Sequence, residues 1–136
     1  MSNREFYDVQ IRVGYKDTDK MGVVHHSNYV VFYEIARTEW LRSKGYTYRE
    51  LEEKGVMMPV REIQSKFLRP AFYDDLLTVR ISVQKMGGVR VVFYHEIFNQ
   101  NDELIHTGTA ELAFMDAESR RPCRAPEWFV EMFGAK

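Results

Sequence analysis

Between Asp17 and His26 the chain gathers two carboxylates and two imidazoles, Asp17, Asp19, His25 and His26. A segment of helical periodicity follows directly. The unpaired N–H groups and positive dipole end of a helix N-terminus therefore face this cluster. Such a terminus stabilises an anion, including the oxyanion that develops on a carbonyl under attack. A neighbouring carboxylate can act as base or nucleophile. Together these are the parts of an acyl hydrolysis. Asp, Thr, Lys and Gly are also ordinary turn formers. On spacing alone, a turn-making Asp19 and a capping or packing His26 compete with the catalytic reading.

Other chemistries fit the residues less well. Asp17-x-Asp19-x-x-Gly22 matches three positions of a calcium loop, but Met21 takes the fifth place and Asn28 stands where a bidentate Glu belongs. Zinc held by His25, His26 and an Asp is awkward, because consecutive side chains on a strand or helix point in different directions. No G-x-S-x-G elbow, P-loop or G-x-G-x-x-G is present. The single cysteine, Cys123, lies between Pro122 and Arg124, far along the chain from both histidines, and reads as incidental. Arg120, Arg121 and Arg124 form a basic patch, and Lys85 and Arg90 flank Gly87-Gly88; the choice is between a solvated rim and a contact for a phosphorylated ligand.

The elements that must position the cluster follow from periodicity. Val9, Ile11 and Val13 alternate with polar residues, which predicts a half-buried strand over 6–14. From Asn28 to Lys44, Tyr29, Phe32, Tyr33, Ala36 and Trp40 recur at three- and four-residue spacing and make one apolar helical face. Ser27 is the expected N-cap and Gly45 the residue after the helix. Thr47 and Glu50 have capping-box spacing, and Gly55 ends that short helix. Strand patterns follow over Val56–Arg69, ambiguous at its start and rich in apolar and β-branched residues near Val60 and Ile63, over Leu77–Val83, over Val89–Phe98 with Val91, Phe93 and Ile97 on one face, and over Leu104–Met115. Gly87-Gly88 predicts a hairpin turn and Asn99–Asp102 another. Trp128, Phe129, Met132 and Phe133 suggest a terminal helix. One long apolar helix and a run of antiparallel strands cover each other best when the sheet curls around the helix, an α+β arrangement. An edge strand then remains to be paired, and a second copy is the natural partner.

The chain has 136 residues, one domain by length, spanning 1–136. Lys and Arg number 19 against 20 Asp and Glu, a balance that argues against a dedicated nucleic-acid binder. The N-terminal stretch from Met1 to Asp8 does not read as a signal peptide, and no apolar run reaches the ~20 residues of a membrane span. A cytoplasmic protein is expected.

The run Asp17-Thr-Asp19-x-x-Gly22-Val-Val-x-His26-x-x-Tyr29, followed by Phe32-Tyr33-Glu34-x-Ala36-Arg37-Thr38-Glu39, resembles the hot-dog-fold acyl-CoA thioesterases. Within them it resembles the YbgC-like branch of the 4-hydroxybenzoyl-CoA thioesterase family. Phe67-x-x-Pro70-Ala71-x-Tyr73-Asp74-Asp75 and the pair Pro122 and Arg124 extend the resemblance from about Val9 to Pro126. It implies a curved antiparallel sheet around a long helix, and homodimers or homotetramers with sites at the dimer interface. It makes Asp19 the catalytic carboxylate, as nucleophile or general base, and His26 its companion, with the N–H near position 26 polarising the thioester carbonyl. Asp17, Tyr29, Lys85, Arg90 and Arg124 are the substrate-side candidates, Asp17 as a support that shapes the loop. Met57, Met58, Phe67 and Tyr29 are candidates for the acyl pocket. No cofactor or metal is implied, since coenzyme A belongs to the substrate. Two departures stand out: His25 replaces a frequent aromatic, and Gly87-Gly88 stands where some relatives carry basic residues. Hydrolysis of an acyl-carrier-protein thioester and non-catalytic acyl-CoA binding are the alternatives. A hydratase on the same fold is disfavoured by the motif.

Overall fold

A computed structural model describes residues 5–133 of the chain. Residues 1–4 of the N-terminal stretch read above, and residues 134–136, lie outside the described residues. In chain order the elements are β1 (Phe6–Arg12), a 3-10 turn (Tyr15–Asp17), α1 (Asn28–Ser43), α2 (Tyr48–Glu53), β2 (Val56–Met57), β3 (Val60–Phe67), β4 (Leu76–Gly87), β5 (Arg90–Phe98), β6 (Leu104–Ala113), β7 (Met115–Asp116) and α3 (Glu127–Met132).

Five strands form an antiparallel sheet in the order β1-β4-β5-β6-β3, leaving β1 and β3 at its edges. The short β2 and β7 pair separately. The alternation read from sequence sends Leu77, Val79 and Ile81 of β4 and Val91, Phe93 and Ile97 of β5 to one buried face. The helical spacing sends Tyr29, Phe32, Tyr33, Ala36 and Trp40 of α1 into the same core. Trp40 meets Phe93 and Phe133 edge-on, with ring centroids 6.3 and 4.7 Å away, so α3 closes the far end of that core. Truncating one such buried aromatic costs roughly 3–5 kcal/mol. The curved antiparallel sheet around a long helix is the hot-dog arrangement expected above.

Local chemistry explains the ends. Thr47 and Glu50 form the full capping box of α2, the Thr47 hydroxyl accepting from the Glu50 N–H at 3.2 Å and the Glu50 carboxylate from the Thr47 N–H at 2.8 Å. Gly45 and Gly55 follow the two helices at φ +96° and +90°, the left-handed region that favours glycine. Two expectations are corrected. The tight turn between β4 and β5 is Gly88–Val89 rather than Gly87–Gly88, because Gly87 still pairs with Arg90 while Gly88 takes the positive φ of +59°. Ser27 precedes α1 but its side chain does not cap it, because its backbone is already helical and its hydroxyl is held by His25.

Candidate active site

The loop from Gly14 to Asn28 is organised by Asp17. This residue is buried, and both carboxylate oxygens are engaged: Oδ2 accepts from the Gly14 N–H at 2.8 Å and Oδ1 from Lys16 Nζ at 3.0 Å. Its backbone carbonyl accepts the His25 N–H at 2.9 Å and the Asn28 side-chain amide at 2.8 Å. Asp17 thus ties the entry of the loop to the first residue of α1. Both oxygens thus take part in shaping the loop.

Asp19 stands at the exposed tip of the same loop. Its N–H donates to the Val23 carbonyl at 2.8 Å, and Gly22, at φ +80°, returns its N–H to the Asp19 carbonyl at 3.0 Å. Oδ1 accepts the Met21 N–H at 2.8 Å and the Val23 N–H at 3.4 Å. Oδ2 has no partner among the described residues. Turn-making and availability for chemistry therefore coexist: one oxygen orients the carboxylate and the other is free.

His25 and His26 lie in a turn, not in a strand or helix, and their rings stack with centroids 4.2 Å apart. The expectation that they point apart rested on regular backbone, which this segment does not have. His25 Nδ1 pairs with the Ser27 hydroxyl at 2.9 Å. The His25 carbonyl accepts the Asn28 N–H and the His26 carbonyl the Tyr29 N–H. The His26 N–H has no partner among the described residues. It lies at the head of α1, where a donor suits a developing negative charge.

Val24 bonds the Ala71 carbonyl at 2.8 Å and Val23 bridges Phe72, which docks the loop on the segment after β3. Between them opens a cavity of about 290 Å³, lined by Val23, Val24, His26, Tyr29, Phe67, Leu68, Arg69 and Pro70. A hollow of about 330 Å³ elsewhere on the sheet, lined by residues such as Gln64, Tyr94 and Thr109, contains none of the loop residues. His26, Tyr29 and Phe67 therefore converge on one cavity, with Asp19 on the adjoining loop but not in the lining. Met57 pairs with Met115 in the separate two-stranded ladder, and neither it nor Met58 lines the cavity.

Lys85, Arg90 and Arg124 are brought together, but at the other end of the molecule. The Ala125 N–H bonds the Gly88 carbonyl at 2.9 Å, which sets Arg124 beside the hairpin. Arg90 pairs with Glu111 at 3.3 Å. The loop adjoins the Leu76 end of β4, where the Val13 N–H bonds the Asp75 carbonyl at 2.9 Å. The 12 residues of β4, roughly 36 Å of strand at ~3.3 Å per residue, run between the loop end and the hairpin end of the sheet. Arg69 is the cation at the cavity itself, and its partner Glu103 is 3.6 Å away. The sequence reading passed over Arg69, although it falls inside the Phe67-x-x-Pro70 motif.

Beneath the cavity lies a layer that the sequence reading did not single out. Tyr29 stacks on His106 (4.2 Å, 5°) and Tyr33 on His95 (4.0 Å, 10°). Both histidines are fully buried. Burial lowers the His95 imidazole to about 3 and that of His106 to about 4, so both are neutral. Burial also raises the Tyr33 phenol to about 12, with the Ser65 hydrogen bond acting against it. The available signal was parity: His95 shares its strand face with Phe93 and Ile97, and His106 with Ala110.

A loop organised by a buried carboxylate thus stands at the start of α1, beside an aromatic cavity and inside a hot-dog fold. Residues 13–133 match the thioesterase-like superfamily. The acyl-CoA thioester hydrolase YbgC of Escherichia coli O6:H1 is 33% identical, covering 96% of this chain and 98% of that one. The acyl-CoA thioesterase YbgC of Haemophilus influenzae is 32% identical, covering 89% of each. The crystal structure of the DHNA-CoA thioesterase from Staphylococcus aureus superposes with a TM-score of 0.86 at 32% identity, covering 96% of this chain and 87% of that one. The chain belongs to the thioesterase-like superfamily, in its YbgC-like branch. It is a thioesterase-type hydrolase, as the motif implied. No helix among the described residues is long and apolar enough to cross a membrane.

Proposed function

We propose that the chain hydrolyses acyl-CoA thioesters, with a small-to-medium or aromatic acyl group in the cavity walled by Tyr29 and Phe67. One observation carries this reading. Asp19 Oδ2 and the His26 N–H have no partner among the described residues, and the loop that carries both borders an aromatic cavity. The thioester carbonyl is placed with its oxygen at the His26 N–H. Asp19 either attacks the carbonyl carbon, expelling CoA as a thiolate and leaving a mixed anhydride for water to open, or takes a proton from an attacking water. The first route labels Asp19 with ¹⁸O from the solvent in a single turnover when water opens the anhydride at the Asp19 carbon; the second never labels it. The aromatic walls suit a planar acyl group, in line with the aromatic thioester named for the staphylococcal relative.

The edge strand β3, with Val60 and Phe67 exposed, and the exposed Val30 and Val31 of α1 form the surface proposed to pair with a second copy. A dimer or a pair of dimers is expected by light scattering. Because Lys85, Arg90 and Arg124 are a sheet-length away from their own loop, their proposed role is to bind the CoA phosphates of a neighbouring copy's site. The proposed compartment is the cytoplasm, where CoA esters are made and used.

The deciding experiment is thiol release over a panel of aliphatic and hydroxybenzoyl CoA esters, with Asp19→Asn in parallel. Turnover that collapses in a folded variant supports the reading. Turnover that persists removes Asp19 from its role. Binding without turnover points to a binding module, and activity confined to acyl-carrier-protein thioesters points to that substrate.

A further inference from the structure

His106 is the common footing of both aromatic walls of the cavity. Tyr29 lies flat on its imidazole, 4.2 Å between centroids, and Phe67, its cross-strand partner in β3, meets it edge-on at 4.8 Å. Tyr29 and Phe67 also touch each other edge-on at 5.2 Å. The orientation of one buried ring therefore sets the spacing of the two walls.

Among the described residues one polar tie holds that ring: His106 Nε2 makes a close hydrogen bond to the Tyr33 hydroxyl, and the buried Nδ1 has no partner among them. The Tyr33 hydroxyl in turn bonds the Ser65 hydroxyl at 2.7 Å. Tyr33 is fully buried on α1, one turn after Tyr29, and Ser65 lies two residues before Phe67 on β3. The hydroxyl thus links the helix that carries one wall to the strand that carries the other. The sheet is cut to receive it. A Cβ added at Gly108, which faces Ser65 across the ladder, would come 1.9 Å from the Tyr33 oxygen. In a low-dielectric interior a lone tie of this kind has no water to replace it.

We propose that Tyr33 is a specificity-determining positioning residue, whose hydroxyl, acting through His106 and Ser65, sets the width of the acyl cavity and so the acyl groups it accepts. It touches no reacting atom. The inference rests on the acyl-CoA reading of the cavity. Removing the hydroxyl frees the His106 ring to turn, lets Tyr29 and Phe67 part, and widens the slot.

The test is Tyr33→Phe, which keeps the ring and its stacking on His95, with Ser65→Ala as a second variant that leaves Tyr33 intact. Two readouts run in parallel: kcat/KM across narrow and bulky acyl-CoAs, and binding of the matching non-hydrolysable S-alkyl and S-aryl thioethers of CoA. Tyr33→Phe is expected to shift the bulky-to-narrow preference by about five- to tenfold, the worth of one neutral hydrogen bond. Ser65→Ala is expected to shift it in the same direction by less. Both variants remain folded by circular dichroism. Lower stability with unchanged acyl preference in both readouts would overturn the proposal and leave Tyr33 a purely structural residue. If the wild type hydrolyses none of the panel, the catalytic reading fails, and the thioether preference alone still decides the role of Tyr33. If it binds no thioether either, both fall.

Discussion

The loop from Asp17 to His26 and the layer of Tyr29, Tyr33, His95 and His106 beneath it use the same kinds of group in opposite ways. In the loop, Asp19, His25 and His26 are exposed, and the Asp19 Oδ2 and the His26 N–H have no partner among the described residues. In the layer, two imidazoles are sealed under aromatic rings, held neutral by burial, each with one ring nitrogen unpartnered. Leaving a buried nitrogen without a partner costs stability, whereas an exposed free oxygen costs little because water solvates it. The contrast fits the proposal that the loop carries the reaction chemistry and the layer the shape of the cavity.

The sharpest way to break this division is Asp19→Asn. Asn keeps an Oδ1 to accept from Met21 and Val23, so the turn survives and the melting temperature stays close to wild type. Loss of the acid is expected to lower kcat by ~10²-fold or more. A large drop in melting temperature instead would make Asp19 a fold residue.

Gly108→Ala probes the other side. The new methyl would meet the Tyr33 oxygen and, at 2.7 Å, the Gln64 carbonyl, which is backbone and cannot swing aside. The expected loss is about 3 kcal/mol of stability, read as a lower midpoint in a urea titration. An unchanged midpoint would mean that the layer yields more readily than its packing implies.

The pH dependence of stability tests the sealed histidines. Their folded values, about 3 for His95 and about 4 for His106, lie below the ordinary 6.5. The unfolded chain therefore binds protons first as pH falls, and stability is lost from pH 6.5 downward through pH 4. Each histidine contributes roughly 2 kcal/mol of that loss between pH 6.5 and 5. Denaturant midpoints measured at these two values should part accordingly, and His95→Gln should bring them closer. Equal midpoints in the wild type would show that the imidazoles charge within the fold.

The smallest effect is expected at the basic hairpin. Arg124→Ala with Lys85→Ala should raise KM by about threefold, leave kcat within about twofold, and weaken the salt dependence of KM, because exposed charges contribute little each. A fall in kcat with unchanged KM would overturn the phosphate-binding role proposed for the hairpin.

Much of this was legible along the chain, because periodicity and caps are local. The alternation of β4 and β5, the apolar face of α1 and the Thr47–Glu50 box read directly as the observed elements. The cluster before α1 was legible for the same reason: its groups are close in sequence, and the positive-φ Gly22 closes their turn. Sequence alone could not decide which glycine turns the hairpin, or that the His25 and His26 rings stack, since both depend on backbone angles that neighbouring contacts select.

The residue types and spacing by themselves determined the strand and helix pattern and the family motif, because each depends on neighbours within a few positions; the resemblance carried by that motif then pointed to Asp19 as the candidate acid. Only the tertiary structure decided which Asp19 oxygen has no partner among the described residues, that Asp17 ties the loop to α1, and that Lys85, Arg90 and Arg124 lie at the hairpin end of the sheet. It alone joined Tyr33 of α1, Ser65 of β3 and His106 of β6 into one tie. Those residues are 32 and 73 positions apart from Tyr33, and only sheet register and the crossing of the helix bring their hydroxyls and imidazole within bonding distance.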